Sequence, residues 1–332
     1  MYVKKNHFAK NTLFVITKIT IGVNMTNLKK IGLTALAGSL AVTAYAQAGA
    51  LSVNGTARME YQSTQASTTA KSDSFVQNTS ISFSGSGEMD NGMTVSYFSL
   101  QAGSNASSQS VALDMGDMGT VSMSNYNMAG IGMIQDKVPN GGEQPWDDNT
   151  HADHGTPEHG VASPHSGNRL NYSTTAAGAT ISAAIDYQQN SPTTSLAVSM
   201  PLMEGLEVGA GMATDQSSAT TEQDIDTMYV KYTMGGISVG YQLTDVDVTA
   251  ASSDIERTAY GISFAVNDNL SVGYGVSDTE YEALTPDEEN VGIGIAYTSG
   301  GMKLGIINNT KDNPGGVSGA EEMTELQLTF AF

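Results

Sequence analysis

Residues 325–332 read ELQLTFAF. Leu326, Leu328, Phe330 and Phe332 fall at every second position, with Glu325, Gln327 and Thr329 between them. Successive side chains of a strand point to opposite faces, so this stretch has one greasy face and one wet one. The same alternation returns at the other end of the chain. There Leu51, Val53, Ala57, Met59 and Tyr61 interleave with Ser52, Asn54, Thr56, Arg58, Glu60 and Gln62. It recurs in Met228, Val230 and Tyr232 around Lys231, and in Tyr260, Ile262, Phe264 and Val266 after Arg257.

A soluble periplasmic β-sandwich would alternate in the same way, so length and number must separate the two readings. The segments repeat at about 9 to 11 residues, the length of a membrane-crossing strand. Turn signals such as Asp90-Asn91-Gly92, Gly235-Gly236, Asn267-Asp268-Asn269 and Gly300-Gly301 part them. Strands are predicted over 50–62, 75–89, 92–102, 108–115, 118–126, 167–175, 178–189, 193–200, 205–215, 224–234, 236–246, 254–266, 269–280, 289–299, 302–311 and 321–332. That makes sixteen, an even number suited to antiparallel closure. An open sheet of this size exposes unpaired edges, and lipid supplies no water to satisfy them. The expected fold is therefore all-β, a closed antiparallel transmembrane barrel. Roughly sixteen strands enclose a cylinder too wide for side chains to fill, so its interior should hold water or a plug.

Composition agrees with a wet interior. Of the 332 residues only 14% are charged, so much of the polarity comes from Ser, Thr, Asn, Gln and 36 Gly. With no Cys, thiolate metal sites and disulfides are excluded and backbone pairing must hold the fold. The 34 acidic side chains face only 14 basic ones, and six of those 14 (Lys4, Lys5, Lys10, Lys18, Lys29 and Lys30) lie in the first 46 residues, which carry no acid. The remainder is strongly anionic, which disfavours nucleic acid and favours cations as partners.

From Met25 the chain reads MTNLKK, then the apolar IGLTALAGSLAVT, then Ala44-Tyr45-Ala46 before Gln47. A basic stretch, a short apolar run and small residues at a cleavage point predict a secretory signal peptide over 25–46 and a mature start at Gln47. The apolar run is shorter than the roughly 20 residues a spanning helix needs. Residues 1–24 read as an upstream extension or a mis-called start, and 47–332 as the barrel domain.

Three stretches together resemble the Gram-negative general porins, particularly those of alphaproteobacteria. They are ISFSGSGEMDNGMTVSYFSLQAG at 81–103, SVALDMGDMGTVSMSN at 110–125 and GNRLNYSTTAAGATISAAIDY at 167–187, in the order of that family's strands. The resemblance implies an outer-membrane location and trimers of sixteen-stranded barrels whose long third loop folds into the lumen as a constriction. It implies a passive channel for small polar solutes, no cofactor, and outer-membrane lipid as the surrounding medium. The closing strand with Phe332, Phe330 and Leu328 is then the expected signal to the barrel-assembly machinery.

A loop stands at the expected place. Residues 127–166 lack regular alternation and hold Pro139, Pro145, Pro157, Pro164 and the only Trp, Trp146; so long an irregular stretch is usually functional or disordered. It carries Asp136, Glu143, Asp147, Asp148, Asp153 and Glu158 against Lys137 alone. Such a cluster in a narrow passage with low-dielectric walls gathers cations and repels anions. Similar porins set an acidic loop against a basic wall, and this chain is short of basic residues. Arg58, Arg169, Lys231 and Arg257 fall on the polar phase of their strands and are the candidates for that wall, Arg58 and Arg169 first. Lys303 shares the phase but sits near a strand end.

His151, His154, His159 and His165 lie in HADHGTPEHGVASPH at 151–165. Imidazole with the Asp153 carboxylate could bind a divalent zinc, nickel or copper ion through His151, His154 and His159, although the spacing matches no established site. The plainer reading is a loop whose charge changes as imidazole titrates near pH 6.5. With the described motifs offering no Ser-His-Asp arrangement, catalysis is not expected. The rivals are a substrate-selective channel, for example for sugars, for which Tyr126 and Trp146 are few aromatics, and a non-conducting adhesive or structural barrel.

Overall fold

The computed structural model describes residues 51–67, 70–125, 129–145, 168–188, 191–215 and 222–332. The expected extension at 1–24 and the expected signal peptide at 25–46 lie outside the described residues. The described residues form sixteen strands: β1 (Ser52–Ala66), β2 (Ser72–Glu88), β3 (Thr94–Ala102), β4 (Asn105–Asp114), β5 (Thr120–Ser124), β6 (Arg169–Ala176), β7 (Ala179–Gln188), β8 (Ser191–Met203), β9 (Leu206–Asp215), β10 (Gln223–Met234), β11 (Ile237–Val248), β12 (Ile255–Ala265), β13 (Leu270–Tyr281), β14 (Glu288–Ser299), β15 (Met302–Asp312) and β16 (Ala320–Ala331). Each pairs antiparallel with its sequence neighbours, and β16 pairs with β1 from Thr56↔Ala331 to Ala66↔Glu321, closing the barrel. Among the described residues no helix is long and apolar enough to cross a membrane. The strands are long enough: β10 has 12 residues, which at about 3.3 Å each and a tilt near 40° reach across roughly 30 Å, the thickness of a bilayer's hydrocarbon core.

Every predicted strand corresponds to an observed one, with ends that shift for physical reasons. β8 runs three residues past the predicted stop at Met200 because the sheet absorbs Pro201 in a bulge, where the pairing with β9 slips between Pro201 and Met203. Proline cannot donate to the ladder, and an irregularity is where a sheet tolerates it. β5 is shorter than predicted at its start because Gly116–Met118 form a single 3-10 turn, released at Gly119 with φ 85°.

The alternation sorts the side chains as the sequence demands. Met228, Val230 and Tyr232 of β10 are exposed while Ile225, Thr227 and Tyr229, on the alternate phase, are buried. Register carries the outward set from strand to strand, as in Val230↔Tyr241↔Tyr260↔Val276↔Val291. On the opposite face the row Thr227↔Thr244↔Arg257↔Thr279↔Glu288 is polar. Tyr232, Phe264, Tyr297 and Phe330 gather on the outside at the short-turn end, as in the aromatic girdles that mark an interface with lipid headgroups. At the end with the longer links the outer face turns acidic instead. Asp224, Asp226, Asp245, Asp247, Glu256 and Glu289 stand there, and Asp226↔Asp245↔Glu256 are direct neighbours across strands. Carboxylates so placed belong beyond the hydrocarbon, so the apolar band ends below them.

Candidate pore site

Residues 129–145, the first part of the link between β5 and β6, pack on the inward face of the barrel wall. Ile131 and Ile134 are 2% and 0% exposed and fill a cluster with Ala197, Ala213, Ile225, Tyr229 and Val246, all from the inward phase of β8 to β11. Backbone groups of this segment find side-chain partners on the wall, as buried polar groups must. Gly130 and Ile131 donate N–H bonds to Ser182 and Ser195 Oγ at 2.8 and 3.3 Å, and Gln242 Nε2 donates to the Ile134 carbonyl at 3.1 Å.

Beyond Ile134 the segment follows a row of inward glycines. Gly240, Gly261, Gly275 and Gly292 are successive cross-strand neighbours on β11 to β14, and Gly273 faces Gly294. A Cβ on Gly240 would meet Pro139 Cδ at 2.5 Å, one on Gly261 the Pro139 carbonyl at 2.1 Å, and one on Gly294 the Gly141 carbonyl at 2.3 Å. Only a wall without side chains lets a second backbone lie this close. The glycine row is the feature that the sequence reading missed. The glycines fall on the polar phase of four adjacent strands, but they line up into a row only once the register is known.

The candidate charges fall into three groups. Asp136 is exposed on the inserted segment, and Glu143, half-buried near its end, accepts a bond from Gln327 Nε2 at 3.1 Å. Trp146, Asp147, Asp148, Asp153 and Glu158, and with them His151, His154, His159 and His165, lie outside the described residues. Among the described residues no group of three or more His, Asp or Glu is placed to hold a metal ion. All four basic candidates are on the inward phase, but they differ in access. Arg58 keeps 30% of its side chain exposed, with Nε 2.9 Å from Glu60 Oε2. Lys231 is half-buried opposite Glu207. Arg169, 7% exposed, stands opposite Asp186, and Arg257, 4% exposed, donates to Ser277 Oγ at 3.2 Å.

Cations outside the expected set follow the same rule. Lys137 Nζ is 3.5 Å from Glu207 Oε1 and 5.3 Å from the centre of the Tyr229 ring, and Tyr229 donates its hydroxyl proton to the same carboxylate. Buried Lys311 Nζ lies 3.7 Å from Glu288 Oε1. The wall formed by β2 to β5 has a different chemistry. Its inward phase carries Ser80, Ser82, Ser84, Ser96, Ser108, Ser110 and Ser122, with Phe98 and Leu100 among them.

A closed barrel with an apolar outer band, a polar interior and residues 129–145 of its β5–β6 link packed on the inner wall defines a pore-forming barrel of the outer membrane. The sequence model of the Gram-negative porin family matches residues 32–313, and the chain belongs to that family. Solved structures agree in fold. A triple mutant of the Rhodopseudomonas blastica porin superposes with a TM-score of 0.64 at 15% identity, covering 85% of this chain and all of that one. The anion-selective porin of Comamonas acidovorans gives 0.67 at 13% identity, covering 86% of this chain and all of that one. No curated protein matches the chain in sequence.

Proposed function

We propose that this porin is a cation-preferring passive channel for small hydrophilic solutes and ions, narrowed by the 127–166 link. The observation that carries the reading is the pairing of its inward cations. Arg58, Lys137 and Lys311 each lie within ion-pair distance of a carboxylate, and Arg169 and Lys231 stand opposite one. The inserted link adds Asp136 and Glu143, and its sequence adds Asp147, Asp148, Asp153 and Glu158. Lys303, exposed opposite Thr298 and Thr329 near the end of β15, stands outside this pattern, so positive charge on the wall is sparse. The field in the lumen is negative, and a low-dielectric wall concentrates counter-ions under it. The test is the reversal potential across a planar bilayer with a potassium chloride gradient. A sign that reports chloride as the more permeant ion removes the proposal.

The serine-lined wall with inward Phe98 and Leu100 favours a second reading, a channel with some preference for neutral polyhydroxylated solutes such as sugars. Saturable block of the ionic current by a small sugar distinguishes that case from free diffusion. A barrel that carries no current at all would be structural or adhesive.

For assembly we propose a homotrimer. Gln77, Thr79, Gln101 and Gln109 break the apolar band on the outer face of β2 to β4, and polar side chains facing acyl chains are costly unless another surface covers them. Chemical cross-linking in detergent that yields monomers only would oppose this. For the 151–165 stretch we propose a pH-dependent charge in preference to a metal site. Heat released on adding zinc, lost when His151, His154 and His159 are replaced, would reverse that preference.

A further inference from the structure

A network of carboxyl groups and amides runs across the seam where the last strand meets the first. Arg58 Nε approaches Glu60 Oε2 at 2.9 Å, and Gln62 Nε2 donates to Glu60 and, at 2.8 Å, to Glu325. Gln327 Nε2 donates to Glu325 Oε2 at 2.9 Å and to Glu143 Oε2 at 3.1 Å. Register explains the order. Glu60 stands opposite Gln327 and Gln62 opposite Glu325, so an amide faces each carboxyl group directly across the seam, while Glu325 also hydrogen-bonds Glu60 on the diagonal and Glu143 on the segment. Glu60 and Glu325 are 3% and 1% exposed, and Gln327 is 9% exposed. This is thus a buried, ordered polar network, and its last member, Glu143, belongs to the inserted segment.

We propose that Gln327 is a positioning residue whose amide ties the end of the inserted segment to the β1–β16 seam, so that barrel closure and narrowing of the pore are completed by one set of hydrogen bonds. The two hydrogens of one amide nitrogen are each given to a different carboxylate, one on the wall and one on the segment. An amide is the group suited to this, because it donates twice and carries no charge that would itself form a wall cation. Until β16 has paired with β1, Gln327 does not stand beside Glu60 and Gln62, and the segment lacks this anchor. The glycine row holds Pro139 to Gly141 by shape alone. The tie at Gln327 fixes the next turn, where Gly142 approaches Lys303 and the segment reverses so that Pro145 lies back on Gly275 and Gly292.

This inference rests on the reading of the inserted segment as the constriction, and the test separates the two. The full chain, refolded into planar bilayers, is compared with Gln327→Met, which keeps the volume and loses both donors, and with Gln327→Glu recorded at alkaline pH, where the ionised carboxylate keeps the shape and can only accept. Gln327→Lys restores a donor of similar reach. Bonds to charged acceptors are worth enough that losing them raises the population of a released segment by about tenfold. Gln327→Met and Gln327→Glu should therefore spend about ten times longer in a wider, noisier conductance level, while Gln327→Lys stays near the parent. Heat-modifiable migration in a detergent gel checks that each barrel has closed. A conducting parent whose Gln327→Met and Gln327→Glu forms show its conductance and noise, or a Gln327→Lys form as noisy as Gln327→Met, overturns the inference and leaves the channel intact. A parent without current overturns both. If Gln327→Met alone fails to close, the Gln327→Glu and Gln327→Lys pair decides.

Discussion

At Gly294 the barrel wall and the inserted segment meet backbone to backbone, and a Cβ there would stand 2.3 Å from the Gly141 carbonyl oxygen. Neither partner is a flexible side chain that could turn aside, so Gly294→Ala must displace the segment or bend the strand. Overpacking a close contact costs about 1–3 kcal/mol. Because Gly294 lies on the wet face of β14, the cheaper response is for the segment to lift off the wall. The expected outcome is a folded barrel with a wider pore, read as a raised single-channel conductance and faster entry of neutral sugars into liposomes. Gly305, whose inward Cβ would meet no atom closer than 3.7 Å, supplies the control, and Gly305→Ala should leave conductance unchanged. This residue-level contact marks the limit of what could be read from sequence. A glycine on the polar phase of a strand fits a lumen wall whether or not a second chain lies on it. Only the neighbouring strands, each with its glycine at the same height, distinguish a track from a gap, and that needs the register.

Strand identity was legible because it depends on a period of two that every strand must obey to keep lipid and water apart. The position of each strand end was not, since Pro201 is absorbed by a bulge that pairing with β9 makes affordable. Charged residues were legible as to face but not as to access. Arg257 and Arg58 occupy the same phase, yet Arg257 is buried beside Ser277 while Arg58 stays partly open, a difference that alternation alone does not encode. At the outer rim the same elements carry a cost. Asp245 has Asp226 on one side and Glu256 on the other, both directly opposite, and like charges in that relation destabilise a sheet by a few tenths of a kcal/mol per pair. Asp245→Asn should therefore raise the urea midpoint of unfolding slightly in low salt, and the gain should vanish in 1 M salt, where the Debye length falls to about 3 Å. At the interior seam Gln62 and Gln327 take the positions directly opposite Glu325 and Glu60, and the two carboxyl groups that still meet on the diagonal do so through a hydrogen bond.

For the whole molecule, the question is whether selectivity arises from the summed field of the interior or from contact at a few residues. The chain has 34 acidic and 14 basic side chains, and Arg58, Lys137 and Lys311 lie beside carboxylates, so on the proposed reading the inward part of the acidic excess acts on the lumen as a diffuse potential. A diffuse potential is screened by salt. The Debye length is about 30 Å at 0.01 M, longer than a pore of this kind is wide, and about 3 Å at 1 M, shorter than the distance from wall to axis. The permeability ratio of potassium to chloride should accordingly be high in dilute salt and decline toward the ratio in free solution as concentration rises. Contact selectivity behaves differently, because an ion touching a carboxylate in a constriction is not screened by salt it has already shed. Reversal potentials measured at a fixed gradient ratio over the range 0.01–1 M tell the two apart. A preference that stays constant across that range would place selectivity at the narrowest point, and variants of Asp136 and Glu143 should then change it more than any charge elsewhere in the wall.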